Sequence, residues 1–326
     1  MSCVHPTTHP LDRLREASGV ADLAGCLGME PGDLQYLFDL PHQSRYRTFA
    51  IRKRSGGRRT ISAPITPLKT VQRRLALLLA LGVPPSPVAV GYLPGKSIVD
   101  HALAHRGARW ILTLDLEAFF PSIGEPLLRP PLEQHLGLGS AASTLIVDLC
   151  VGEGLPQGAP SSPVLSNLAC VDLDRDLFRI AAGHGCVVTR YVDDICVSSA
   201  SDHIPEKLVT HSAGSTQAGI DLRQCIRDRG FEINARKTRF TEAPAKHLVT
   251  GLVVGTAVDM PRKWKRQLRV LQHMLATHGE AEGTSMLEAW DDGSFRQGHP
   301  SSLHALVQGK KAFHRHVLAR STSVTT

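Results

Sequence analysis

The sequence predicts an α+β fold: a small antiparallel sheet backed by amphipathic helices, followed by a basic helical region. Three observations predict it. Two β-branched runs flank a carboxylate pair in Val187-Val188-Thr189-Arg190-Tyr191-Val192-Asp193-Asp194-Ile195-Cys196-Val197-Ser198, which reads as two short strands bent at the aspartates. Trp110 to Leu116 alternates, with Leu112, Leu114 and Leu116 on one face and Ile111, Thr113 and Asp115 on the other, the period of a strand. Elsewhere the apolar spacing changes to three and four residues, as in Leu68, Val71, Leu75 and Leu78, the period of a helix.

In chain order, residues 1 to 9 carry no pattern and are expected to fray. Residues 10 to 40 read as short helices, one through Ala21, Leu23, Ala24 and Leu27 broken by Gly28, the next opened by Pro31 with Leu34, Leu37 and Phe38. This outline would suit a DNA-reading module, but no Lys or Arg occurs from Val20 to Leu40, so residues 1–45 are expected to be a structural helical cap. Residues 46 to 64 read as a hairpin, with Tyr46, Phe49 and Ile51 leading to Ser55-Gly56-Gly57 and Arg59, Thr60 and Ile61 returning. A helix is expected from Pro67 to Leu81, a loop over 82–95, helical structure from Lys96 to His105, and a helix over 141–150. In the loop Gly154 to Pro163, Ser162 reads as an N-cap with Pro163 as the first helical residue. Leu165, Ala169, Leu173 and Leu177 then form one stripe of a single helix. A later helix stops at Gly230, Leu248 to Val254 reads as one strand, and the chain from Pro261 onward is mostly helical.

The totals bound the function. With 326 residues and 42% hydrophobic content, the chain can bury a core as two domains or as one with subdomains. Its formal charge of +7 suits a polyanionic partner. That charge is clustered: residues 51 to 74 hold eight Lys or Arg and no acid, and Arg262, Lys263, Lys265, Arg266 and Arg269 form a second acid-free stretch. Lys310, Lys311, Arg315 and Arg320 add a third, which favours a groove for a phosphate backbone. The seven cysteines form no C-x-x-C pair, which argues against zinc and for reduced cytoplasmic thiols. No apolar run is long enough to span a bilayer, so no membrane partner is expected.

The chemistry rests on Asp115, Asp193 and Asp194. Three carboxylates at strand ends can converge on one cleft, where each raises the others' pKa unless a cation intervenes. Oxygen-only donors suit Mg²⁺, which keeps several waters and takes up phosphate oxygens. Two such ions would activate a 3′ hydroxyl and stabilise a leaving pyrophosphate, leaving the protein mainly to position and neutralise charge.

Asp115 within Leu114-Asp115-Leu116-Glu117-Ala118-Phe119-Phe120-Pro121-Ser122-Ile123, the Gln157-Gly158 loop and Tyr191-Val192-Asp193-Asp194 stand in the order found in reverse transcriptases. The resemblance covers roughly Tyr46 to Val254. It implies a right-hand polymerase fold, with fingers and palm over 46–254 and a basic helical thumb over 255–326. The Arg52-Lys53-Arg54-Ser55-Gly56-Gly57 hairpin would belong to the fingers. By position, Asp115, Asp193 and Asp194 would be the catalytic metal ligands, with the Leu116 carbonyl as a further ligand and two Mg²⁺ as cofactors. Phe120 matches the steric gate against a ribose 2′-OH, and Phe119 is expected in the core. Gln157 and Gly158 would lie beneath the incoming deoxynucleoside triphosphate, and Arg59, with Lys53, would clamp its phosphates. Lys237 matches the lysine that protonates pyrophosphate.

A narrower resemblance is to bacterial retron reverse transcriptases. Gln157-Gly158-Ala159-Pro160-Ser161-Ser162-Pro163 fits their Gln-Gly-x-x-x-Ser-Pro form, and Val249-Thr250-Gly251 their RNA-contacting Val-Thr-Gly signature. His101-Ala102-Leu103-Ala104-His105 resembles their Asn-Ala-x-x-His signature, with His101 in the asparagine position and His105 retained. The resemblance implies that a structured noncoding RNA, encoded beside the gene, is partly copied into short single-stranded DNA. In the family, priming comes from a guanosine 2′-OH and leaves an RNA–DNA hybrid, and the complex acts with an effector protein in antiphage defence. His105, Val249, Thr250 and Gly251, with the basic residues Arg262, Lys263, Lys265, Arg266 and Arg269, would contact nucleic acid. Two other readings stay open at this point: a defence polymerase making untemplated or protein-primed DNA, and a nucleic-acid-holding scaffold that restrains a toxin.

Overall fold

In the computed structural model, which describes residues 10–52, 56–212, 215–290 and 302–322, local signals set the first elements. They are α1 (Pro10–Arg15), α2 (Val20–Leu27) and α3 (Pro31–Asp39). Gly28 ends α2 at φ 62°, where glycine carries no Cβ penalty, and Pro31 opens α3. Leu14, Leu23, Leu34 and Leu37 from these helices are fully buried. Strands β1 (Tyr46–Arg52) and β2 (Arg58–Pro64) follow as an antiparallel hairpin. Its tip, with Lys53, and residues 1–9 lie outside the described residues.

Helices α4 (Thr66–Ala80) and α5 (Ile98–Leu103) lead to β3 (Trp110–Asp115). Helices α6 (Phe119–Ser122), α7 (Glu125–Gln134), α8 (Ser140–Cys150), α9 (Ser162–Ala169) and α10 (Val171–Gly183) come next. The aspartate hairpin is β4 (Val187–Tyr191) and β5 (Asp194–Ser199), and a second hairpin is β6 (Val209–Ser212) with β7 (Ser215–Ala218). After α11 (Ile220–Asp228) come β8 (Arg239–Glu242), β9 (His247–Val249), β10 (Leu252–Val254) and β11 (Val258–Asp259). Helices α12 (Arg262–Trp290, broken at Gly279) and α13 (Leu303–Thr322) complete the described chain.

The central sheet has the order β4-β5-β3-β8, antiparallel throughout. One face buries Leu112, Leu114, Leu116, Ile195 and Val197 against helices α7 to α11. The other carries Ile111 and Cys196 against Val99 and Ala102 of α5, the β9–β10–β11 sheet and Val317 of α13. Each buried leucine contributes roughly 1.5–3 kcal/mol relative to exposure. A slip of one residue in β3 would exchange those leucines with Asp115, so the register is strongly set.

Several expectations need correction. Ser161, not Ser162, is the N-cap of α9, and Ser162 Oγ instead donates to the Pro156 carbonyl at 2.7 Å. The stripe Leu165 to Leu177 runs over two helices, because the chain breaks at Cys170 (φ −96°, ψ 2°) and restarts as α10. The strand expected from Leu248 to Val254 is a hairpin that turns at Thr250 (φ 45°) and Gly251 (φ 84°). Residues 125–134, for which the sequence suggests no element, form α7 even though Pro130 and Pro131 lack N–H donors.

Candidate active site

Three chain segments bring the carboxylates together. Asp115 ends β3, and its register partner across the sheet is Asp194, the first residue of β5. Asp193 sits in the two-residue turn between β4 and β5, since Tyr191 pairs with Asp194. That turn is strained: Val192, a β-branched residue, holds φ at 64°. It is pinned by Leu116 N–H donating to Asp193 O at 3.0 Å and by Arg190 Nη1 donating to Val192 O at 3.0 Å.

The electrostatics of the cluster call for a cation. Burial pushes the Asp193 carboxyl up, and the Asp115 charge adds to this against Lys237 and Arg59. Asp194 is pushed up to about 6 by burial, then by Asp193 and Asp115. Lys237 Nζ donates to both oxygens of Asp115 at 2.8 Å, and this hydrogen bonding raises its own pKa. Among the described residues, no three His, Cys, Asp or Glu side chains are disposed to hold a metal ion together. Asp115 instead faces Lys237. The donor chemistry nevertheless fits a hard divalent cation: oxygens only, at a site where carboxylates raise one another.

The expected nucleotide contacts surround this cluster. Arg59 on β2 is exposed, and its charge reaches Asp193. Phe119 is buried and stacked on Phe231 at 5.8 Å, whereas Phe120 is only half-buried. Gln157 O accepts from Ser62 N–H at 2.8 Å, which seats its loop against β2. Gly158 holds φ at 119°, a backbone that favours glycine, and a Cβ there would crowd Ile61 Cγ2 at 3.0 Å.

The expected nucleic-acid contacts divide. His105 is 1% exposed, and its Nδ1 and Nε2 each make a 2.7 Å hydrogen bond, to Ser198 Oγ and Thr189 Oγ1. It has no free edge for RNA, which corrects the expectation for this residue. Val249 is fully buried in the core beneath the sheet, so its side chain also cannot meet RNA. Thr250 is half-buried and Gly251 is exposed at the turn. On α12, Arg262, Lys263, Arg266 and Arg269 are exposed, and the half-buried Lys265 pairs with Asp259. Between α12 and α13 lies an open cleft of about 760 Å³, where Lys265 and Arg269 face Lys311 and Arg315.

Sequence reasoning missed the supports of the aspartate turn. Arg190 is fully buried and forms a bidentate pair with Asp174, Nε to Oδ1 at 2.6 Å and Nη2 to Oδ2 at 2.8 Å. Asn167 Oδ1 accepts from Arg190 Nη2 at 3.3 Å, and Asn167 Nδ2 donates to Gly91 O at 3.0 Å. Gly91 lies so close to the turn that a Cβ would come within 2.7 Å of Val192 N. The next residue, Tyr92, has φ 61° and places its ring 6.4 Å from Phe120. One signal was available: an arginine inside a β-branched strand needs a buried partner.

Comparison with known proteins identifies the family. Residues 51–273 match the family described as Reverse transcriptase (RNA-dependent DNA polymerase). The chain is 35% identical to the Retron Mx65 reverse transcriptase of Myxococcus xanthus, over 80% of this chain and 64% of that protein. It is 31% identical to the Retron Mx162 reverse transcriptase of the same organism, over 80% of this chain and 59% of that one. Against the Retron Ec86 reverse transcriptase of Escherichia coli it is 33% identical over 70% of this chain and 69% of that one. The chain thus spans about six-tenths of the length of the two Myxococcus relatives. Among solved structures, an apo telomerase from Candida tropicalis, truncated from its C-terminal domain, superposes with a TM-score of 0.47. It is 13% identical over 68% of this chain and 56% of that one. With a family match over residues 51–273 and a retron relative matched over more than two-thirds of its length, the chain belongs to the reverse transcriptase family, in its retron-type branch.

Proposed function

We propose that this chain is an RNA-directed DNA polymerase that copies part of a cognate structured noncoding RNA into short single-stranded DNA. The observation that carries the reading is the placement of Asp115 opposite Asp194, with Asp193 in the adjoining turn. In this reading Asp115, Asp193, Asp194 and the Leu116 carbonyl hold two Mg²⁺. When bound, these ions supply activation of the 3′ hydroxyl and charge neutralisation at the triphosphate. Lys237 releases Asp115 for this role and stands ready to give a proton to pyrophosphate. Arg59 clamps the triphosphate, joined by Lys53, while Gln157 and Gly158 form the floor beneath the base. Phe120, backed by Tyr92, faces the sugar and rejects a 2′-OH.

Residues 46–254 act as fingers and palm, 255–326 as thumb, and the first 45 residues as a helical cap. The cations lining the cleft between α12 and α13 hold phosphates of the RNA or of the growing hybrid. Thr250 and Gly251 offer a turn to the RNA. Among the described residues no helix is long and apolar enough to cross a membrane, and the six described cysteines are free. We place the enzyme in the cytoplasm, acting with an effector from the same locus in antiphage defence.

The test is the nucleic acid recovered with the protein when it is expressed from its own locus. DNA of uniform 5′ end, attached to RNA and copied from adjacent sequence, supports the reading. RNA without DNA would favour a scaffold, and DNA matching no local template would favour an untemplated or protein-primed polymerase.

A further inference from the structure

Helix α5 lies against the sheet face that carries Asp115 and Asp194. On that face Thr189 and Tyr191 of β4 stand beside Cys196 and Ser198 of β5, as the pairs Tyr191–Asp194 and Thr189–Cys196 require. His105, just after α5, bonds one hydroxyl from each strand, Thr189 on β4 and Ser198 on β5, both at 2.7 Å. His101, on α5 and 1% exposed, stacks on Tyr191 with ring centroids 5.9 Å apart and planes 22° apart. The two imidazoles meet edge to face at 5.9 Å. Burial holds His101 near 4 and His105 near 3, so both rings are neutral at physiological pH. A neutral ring has one donor and one acceptor nitrogen, and a hydroxyl serves either.

Helix α5 is itself fixed at its N-terminal end. Ser97 and Asp100 form a reciprocal capping box at its start. Arg320 of α13 donates to Asp100 Oδ2 at 2.7 Å and to Gly95 O at 3.2 Å. Both rings are desolvated: His105 is bonded to the two strands that flank the aspartate turn, and His101 is held by packing on Tyr191 rather than by a ring hydrogen bond.

We propose that His101 and His105 are positioning residues of the polymerase site: His105 ties β4 to β5 beneath the carboxylates, and His101 buttresses Tyr191 at the base of the aspartate turn. This rests on the polymerase reading for its kinetic consequence, but not for its structural one. The strands flanking the Asp193–Asp194 turn are joined beyond their backbone ladder by the His105 imidazole. Loosening that joint shifts the Asp193–Asp194 turn relative to Asp115 without touching nucleotide or RNA.

The experiment compares His105→Leu with His105→Gln, which retains a donor and an acceptor. Three quantities are read: kcat and KM for deoxynucleotide on a primed RNA template, affinity for that RNA, and amide hydrogen exchange over β4, β5 and Leu116. His105→Leu is expected to lower kcat roughly 10- to 100-fold, the scale of a small misplacement at a reacting centre. KM and RNA affinity stay within about twofold, and exchange quickens at Leu116 and in β4 and β5. His105→Gln recovers most of the rate. Should His105→Leu fail to fold, Thr189→Val removes one of the two hydrogen bonds, and the same exchange pattern is expected. Weakened RNA affinity with unchanged exchange would overturn the proposal and return His105 to RNA contact; unchanged kcat with unchanged exchange would also overturn it. A wild-type protein without polymerase activity would sink the proposed function, while the exchange comparison would still decide the joint.

Discussion

The buried pair Arg190–Asp174 offers the sharpest stability prediction. Arg190 is fully buried and Asp174 is 1% exposed, so neither charge is solvated by water. Asp174→Asn keeps the shape and one acceptor but removes the charge that balances the guanidinium. Removing one partner of a buried pair costs about 3–5 kcal/mol, because the remaining charge is left uncompensated. For a chain of 326 residues, an unfolding entropy of about 2.1 cal/mol/K per residue converts a cost of about 4 kcal/mol into a midpoint shift of roughly 6 °C. The effect should also reach the site, because Arg190 Nη1 holds the Val192 carbonyl in the aspartate turn. The assay is thermal unfolding of Asp174→Asn beside Glu125→Gln. Glu125 pairs with the partly exposed Arg129 at the surface, where such pairs contribute about 1 kcal/mol or less. If the two variants shift the midpoint equally, the reasoning that Asp174 neutralises a buried arginine beneath the turn is refuted.

Other predictions follow from the same geometry. Asp194 has its folded pKa raised from 3.8 to about 6. Its contribution to stability is therefore present below the unfolded value and is lost as pH rises through the folded one. His101 and His105, held neutral in the fold, add stability as pH rises over the same range and do so in both proteins. Without divalent metal, the wild-type midpoint should therefore fall relative to that of Asp194→Asn between about pH 4 and about pH 7, and a constant difference would contradict the assignment. Replacing Arg262, Lys263, Arg266 and Arg269 with Ala should weaken RNA binding and flatten the slope of log affinity against log salt by about 0.7 for each phosphate no longer neutralised. An unchanged slope would place this face of α12 outside the interface. Phe120→Ala should raise ribonucleotide incorporation relative to deoxynucleotide in a single-nucleotide extension assay, and unchanged selectivity would remove Phe120 from the gate.

The features legible in the sequence are those encoded by local periodicity. Alternation along Trp110 to Asp115 set both the strand and the face on which Asp115 leaves it, because exchanging the faces would bury a carboxylate among leucines. Gly28 and Pro31 marked a helix end and a helix start for equally local reasons. What escaped reading depends on tertiary partners. An unbroken apolar stripe from Leu165 to Leu177 carried no sign of the break at Cys170. Leu248 to Val254 concealed a turn because Thr250 takes a positive φ that its residue type disfavours. His105 sat at an expected offset, yet its burial and its two hydroxyl partners come from strands 84 and 93 residues away. Arg190 was visible as a charge within an apolar strand, but Asp174 and Asn167 could be matched to it only after folding.

The central claim is RNA-templated DNA synthesis at the Asp115–Asp193–Asp194 cluster. The most direct measurement is extension of a primed RNA template by purified wild type and by Asp193→Asn, with Mg²⁺ and all four deoxynucleotides, alongside RNA affinity for both. The account predicts template-complementary DNA from the wild type and none from the variant, with RNA affinity preserved. Normal extension by Asp193→Asn would contradict it.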